Sequence, residues 1–205
     1  IWQAGGDYLD WNNAKTKENF EIQIADKNVG FCVNYNRGMR KAVEEGYDYV
    51  YILNQDTEVP KNFLEPLVEA MEEDKTIALA QSKILYYNDK TKINSWGNKF
   101  HFLGFAYAGG NLETDNMTED IKDVTYPSGA GEMMRCSFLK EVGYFEEYLW
   151  MYHEDVYLGL LAHYYNRRAV IVPKSEIYHK YEFSSSIGRI DFMERNRFLL
   201  LLWFY

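Results

Sequence analysis

The chain has 205 residues, 47% of them hydrophobic and 17% aromatic, enough for one domain with its own core and too apolar for a disordered segment. Its formal net charge of −9 argues against a nucleic-acid partner, because phosphate backbones are gripped by clustered Lys and Arg. An anionic nucleotide still fits that charge when a divalent cation bridges the two.

In chain order, residues 1–27 form an atypical start. Ile1–Glu18 offers neither the buried strand nor the phosphate-binding turn with which a parallel nucleotide-binding sheet begins, and Phe20–Ala25 alternates as a strand. Asn28–Phe31 reads as a turn and Val33–Glu45 as a helix closed by Gly46. Asp48–Leu53, β-branched and aromatic, reads as a central strand. Pro60 marks a helix start, Asn62–Glu73 carries apolar residues at helical spacing, and Ile77–Gln81 is the next strand. This alternation predicts an α/β fold with a mixed, mostly parallel sheet and helices on both faces. Residues 88–123, rich in Gly, Asn, Asp and aromatics, interrupt it as an inserted hairpin or mobile loop, with strand-like pieces such as Lys99–Tyr107. Order resumes at Tyr126–Gly131. There follow a strand (Glu132–Arg135), two helices (Ser137–Val142 and Glu154–Asn166), a strand (Ala169–Val172), an extended piece (Glu176–His179) and a terminal helix (Arg189–Tyr205). No internal repeat is present, and 1–205 reads as a single domain.

Three places carry candidate chemistry. Asn54 and Asp56 follow directly on the strand Asp48–Leu53, and ligands of open α/β sheets bind beyond the carboxyl ends of strands. Asp56 is a hard oxygen ligand suited to Mg2+ or Mn2+; the other reading is a turn-forming or helix-capping Asp. Glu154–Asp155 opens a helix after the aromatic run Tyr148–Tyr152. Helix-dipole capping explains acidic residues there, and so does a pair in which one carboxylate takes a proton while the other holds the loop or the acceptor. His179 ends an extended segment, where a lone histidine is more often a structural hydrogen-bonder; His101, His153 and His163 keep that default. The aromatics Trp96, Phe100, Phe102, Trp150 and Tyr152 suit a sugar face or a packed core.

Cys32 and Cys136 are the only cysteines, which fits a reducing cytosol. No basic stretch leading into an apolar run is read at the start, and no segment reaches the roughly 20 apolar residues of a spanning helix. The expected location is cytoplasmic. Phe198–Tyr205 is read as core packing, with contact at the inner membrane face as the alternative.

Asn28-Val29-Gly30-Phe31, Asn36-Arg37-Gly38 and Leu53-Asn54-Gln55-Asp56-Thr57, followed by Ser128-Gly129-Ala130, Val142–Glu147, Tyr152-His153-Glu154-Asp155, Pro173, His179 and Arg195-Asn196, resemble in order and spacing the inverting family 2 glycosyltransferases, especially the rhamnosyltransferase-like branch. The resemblance runs from about Asn28 to the C-terminus. It implies a GT-A fold, a Rossmann-like sheet binding a nucleotide-sugar and Mn2+ or Mg2+. By the same resemblance, Asp56 takes the metal-binding acidic position, His179 is the later metal ligand and Asp155 is the catalytic base, with Glu154 beside it. Asn28, Asn36, Arg37 and Asn54 would lie near the donor. Ser128, Gly129 and Ala130 would border donor sugar and acceptor, with Trp150 alongside. Arg195 would approach the diphosphate or form an ordinary helix-surface ion pair. Asn34, Gln55 and Tyr157 depart from the family's usual Gly, Pro and acidic residue at those places.

The expected activity is therefore metal-dependent, inverting transfer of a sugar from a UDP-, GDP- or dTDP-linked donor to a glycan or lipid-linked acceptor, in polysaccharide assembly at the cell envelope. A catalytically degenerate domain acting as a glycan-binding or scaffold module is the alternative. A sugar nucleotidyltransferase is disfavoured, because no Gly-rich phosphate loop with Arg and Lys is visible.

Overall fold

A computed structural model of the chain describes residues 2–3, 23–116, 118–181 and 187–205. Two short strands, β1 (Trp2–Gln3) and β2 (Gln23–Ile24), pair in parallel. Residues 4–22, which connect them, lie outside the described residues, and so do most of the atypical start and part of the strand expected at Phe20–Ala25.

Helix α1 (Gly30–Glu44) starts where the Asn28 side chain accepts the Gly30 N–H at 2.9 Å. Gly30 has φ +84°, and a Cβ there would stand 2.7 Å from the Trp150 ring, so only glycine lets the two meet. Next come β3 (Tyr49–Leu53), β4 (Thr57–Glu58), α2 (Glu65–Glu73), β5 (Ile77–Tyr86) and β6 (Ile93–Ser95). A hairpin of β7 (Asn98–Phe100) and β8 (Ala106–Ala108), then β9 (Lys122–Asp123), lead to β10 (Gly131–Arg135) and α3 (Cys136–Val142). A 3-10 turn (Glu147–Leu149), α4 (Glu154–Tyr164), β11 (Arg168–His179) and α5 (Ile187–Phe204) complete the chain.

Helix α1 starts at Gly30, within the segment read as a turn, and β5 runs on to Tyr86 beyond Gln81; two further boundaries differ from the sequence reading for local reasons. Helix α2 begins at Glu65 rather than Asn62, because Asn62 is left-handed (φ 66°) and Pro66 sits in the first turn, where a missing N–H costs nothing. The two extended pieces around Pro173 form one strand of 12 residues, β11, whose pairing with β5 slips between Val172 and Glu176. An irregularity there suits a proline that cannot donate to the ladder.

The main sheet has the order β3–β10–β5–β11–β4, with β6 on β5 and β9 on β11. The α/β class and the helices on both faces are as expected; the prevalence of parallel pairing is not. Among the described residues β5–β11 is the one parallel pair of this sheet, and β3, expected to be central, lies at its edge. Strands β3, β5 and β11 do share a direction, as strand–helix alternation dictates. Alternation does not dictate adjacency, and β10 returns antiparallel between β3 and β5.

Side chains alternate across this sheet. Val50, Ile52, Leu79 and Met134 pack under α1, α3 and α4 with Cys32, Met39, Phe138, Leu158 and Ala162. Tyr49, Tyr51, Met133, Val170 and Val172 face Leu67, Ala70 and Met71 of α2. The carboxyl ends of β3, β5 and β11, together with the start of β10, therefore meet at one end of the molecule.

Candidate active site

At that end the two-residue strand β4 pairs with the tip of β11, Thr57 opposite His179 and Glu58 opposite Tyr178. The Lys180 N–H adds a bond to the Asp56 carbonyl at 2.8 Å. This short ladder sets the Asp56 carboxylate 3.2 Å from His179 Nε2, across 123 positions of sequence. His179 is buried, and its Nδ1 lies 3.0 Å from Asn94 Oδ1 on β6. Hydrogen bonding to His179 holds the Asp56 carboxyl below the usual carboxylate range, helped by Lys180.

The pair is suited to a divalent ion. Nε2–H donating to Asp56 accounts for the lowered carboxyl; in the other tautomer, with Nδ1–H given to Asn94, Nε2 presents a lone pair that a divalent ion could share with the Asp56 carboxylate. Adjacent ligands of an octahedral ion with bonds of about 2.1 Å stand about 3.0 Å apart, close to the 3.2 Å found. Among the described residues no cluster of three His, Cys, Asp or Glu is present. Remaining positions would fall to substrate phosphates and water, the usual arrangement for Mg2+-type sites.

The second cluster lies across the 128–130 loop. The Gly129 N–H donates to Asp155 Oδ2 at 3.3 Å, and the Val156 N–H donates to Asp155 Oδ1 at 2.8 Å. Burial raises the Asp155 carboxyl to about 6 against these donors. Burial and the neighbouring Asp155 charge push Glu154 much higher, and its Oε2 has no partner. The pair therefore holds one negative charge before two, and Asp155, less raised than Glu154 and facing the Gly129 and Val156 N–H groups, takes it.

The 128–130 loop ties the clusters together. Ser128 N–H donates to Gln81 Oε1 at 2.7 Å, and Asn54 N–H to the Ala130 carbonyl at 3.1 Å. Tyr35 of α1 donates to the Leu53 carbonyl at 3.0 Å and lies 3.3 Å from Asn54 Oδ1. Its phenol is pushed up by burial and by the charges of both Glu154 and Asp56, so both acidic groups lie within electrostatic reach of one ring.

The other expected contacts divide. Asn28 is exposed, its Oδ1 accepting the Gly30 N–H. Arg37 lies close enough to Glu147 to help lower that carboxyl. Asn36 is fully buried: its amide donates to the Phe145 carbonyl at 2.8 Å and to Glu147 Oε1 at 3.1 Å and its oxygen accepts the Phe145 N–H at 3.0 Å, so its N–H groups are engaged within the protein. Arg195 donates through Nη2 to the Tyr148 and Leu149 carbonyls at 2.9 and 2.8 Å and through Nε and Nη2 to Asn196 Oδ1, which ties this side of the guanidinium to the 148–149 turn. The aromatics do not form one platform. Trp150 lies against Gly30, Phe100 packs by Tyr126 and Leu200, and Phe102 is exposed at the hairpin tip.

Sequence reasoning missed Tyr35, Asn94 and Glu132. Glu132 is fully buried on β10 with no partner for either oxygen, and burial with the nearby Asp155 and Glu154 pushes its carboxyl far up. A lone acid inside Gly131–Arg135 was its one available signal.

Strands of shared direction with helices on both faces, and an acid–imidazole pair beyond their ends, define a GT-A α/β domain. The chain belongs to glycosyl transferase family 2, which its residues 11–143 match. Glu154, Asp155, His179 and Arg195 lie beyond the matched span. Among solved structures the fold is similar to a crystal structure of GalNAc-T7 with UDP, GalNAc and Mn2+, at 15% identity and TM-score 0.63, over 80% of this chain and 34% of that one. The chain thus spans about a third of that protein's length. It is also similar to A197 from STIV, at 12% identity and TM-score 0.50, over 82% of this chain and 85% of that one. No curated protein matches the chain in sequence.

Proposed function

We propose that the domain is a metal-dependent inverting glycosyltransferase using a nucleotide-sugar donor. The observation that carries this reading is the 3.2 Å contact of Asp56 with His179 at the carboxyl ends of the strands, in a chain of glycosyl transferase family 2. Asp56 and His179 would hold Mn2+ or Mg2+, which when bound supplies positive charge to the diphosphate. GalNAc-T7, with which the fold is shared, was crystallised with UDP and Mn2+.

Asp155 is the base: it takes the proton of an acceptor hydroxyl as that oxygen bonds to the anomeric carbon. The bond from that carbon to the diphosphate oxygen breaks with its electron pair on the leaving nucleotide, and the configuration inverts. Its raised affinity for a proton supports this role, since a base works best with a pKa near ambient pH. Glu154, neutral beside it, leaves the charge on Asp155. Ser128 and Gly129 border the sugar, and Asn54 and Arg37 lie on the donor side. The acceptor is a glycan hydroxyl, free or lipid-linked. No described helix is long and apolar enough to cross a membrane.

Calorimetric titration with UDP, GDP and dTDP, with and without Mn2+, tests the reading. One nucleotide should bind with Mn2+ and lose affinity by about 10- to 100-fold in Asp56→Ala or His179→Ala. Equal binding without metal removes the ion from the proposal. Binding of no nucleotide leaves a glycan-binding or scaffold module.

A further inference from the structure

The loop delivering Glu154 and Asp155 takes an unusual path. Trp150, Tyr152 and His153 all have positive φ, at 64°, 68° and 68°, and none is glycine. Trp150, with ψ −57°, centres a γ-turn closed by the Met151 N–H on the Leu149 carbonyl at 2.7 Å, a strained form. Such conformations persist only where the surroundings over-determine them.

The Cys32 N–H of α1 holds the Trp150 carbonyl at 3.1 Å, and one side chain of α5 gathers the carbonyls around it. The Asn196 amide, fully buried, spreads its two N–H bonds over the carbonyls of Leu149, Met151 and Tyr152 at 2.9, 2.9 and 2.7 Å. Its oxygen accepts from Arg195 Nε and Nη2 at 3.0 and 2.8 Å. Arg195 Nη2 also reaches the Tyr148 and Leu149 carbonyls. Five bonds from two adjacent residues thus gather carbonyls that would otherwise turn to water. Helix α4 begins at the next residue, so the exit from His153 fixes where Asp155 meets the Gly129 N–H.

We infer that Asn196, steadied by Arg195, is a positioning residue that holds the left-handed Trp150–His153 stretch and thereby sets Glu154–Asp155 against the 128–130 loop. Its catalytic consequence rests on the reading of Asp155 as base; the clamp itself does not.

Amide exchange and kinetics on Asn196→Ala test it. Exchange protection should fall over residues 148–157 while β5 and β10 keep theirs. With the nucleotide-sugar of the nucleotide that binds in the titration above, kcat should drop about 100-fold while donor KM moves by less than about threefold, the mark of a misplaced reacting group. Adding His153→Gly, which takes positive φ freely, should recover about tenfold of that kcat. Unchanged protection overturns the clamp, and so does a kcat loss that His153→Gly leaves untouched. If Asn196→Ala does not fold, Arg195→Met carries the test from the exposed end, with the same protection loss expected in milder form and its absence equally decisive. Lost protection in a protein without transferase activity would sink the enzymatic reading and leave the clamp standing.

Discussion

At the residue scale the site contrasts a low acid with high ones. Asp56 is held ionised by His179, whereas Asp155 and Glu154 are raised by burial. A base must be ionised to act, so the rate should fall as pH drops through about 6, the value to which Asp155 is raised. Asp155→Asn should lower kcat by about 10²- to 10⁴-fold while nucleotide affinity holds, read by kinetics and titration on the same protein. Asp56, Asp155 and His179 were legible in sequence because motif spacing marks them. Asn94 and Tyr35 were not: their places depend on how β6 lies on β5 and how α1 packs over Leu53. Asn36 and Arg195 match the motif, and the structure adds their bonds to Phe145 and Glu147 and to the 148–149 carbonyls and Asn196, which no spacing reveals.

Elements meet through close approaches that sequence does not advertise. Gly159 lies mid-helix in α4, where alanine would ordinarily stabilise the helix. A Cβ there would stand 2.3 Å from Tyr126 Cβ and 2.7 Å from the Thr125 carbonyl oxygen. Gly159→Ala should therefore reverse the usual sign and destabilise by about 1–2 kcal/mol, lowering Tm by about 2–8 °C in a thermal melt. The order of elements was readable from hydrophobic period and Gly and Pro punctuation. The antiparallel entry of β10 between β3 and β5 was not, because residues 88–123 had no period to follow and the direction in which the chain returns from them is set by packing.

Over the whole molecule, the net charge of −9 includes carboxyls in the interior. Glu132, Glu154 and Asp155 are all raised by burial, so the folded state binds their protons more tightly than the unfolded chain. Their contribution to stability is therefore fullest below the unfolded carboxylate value of about 4 and declines as pH rises toward neutral. Glu132→Met, which removes two unpartnered oxygens at similar volume, should raise stability by about 1–3 kcal/mol and Tm by about 2–10 °C near neutral pH. The gain should shrink in melts at pH 5, where the wild-type carboxyl is more readily protonated. A gain independent of pH would mean that Glu132 binds its proton equally well in the folded and unfolded chain, against the effect of its burial.

The bond between Asp56 and His179 joins residues 123 apart, and between them runs nearly every strand of the main sheet. Pairings of such sequence separation form late, since the chain must surrender the entropy of the intervening loop before the contact rewards it. The proposed metal pair is thus assembled only once β11 has joined the sheet. A ribosome-bound fragment ending before β11 would hold β3 and its aspartate and still lack the imidazole.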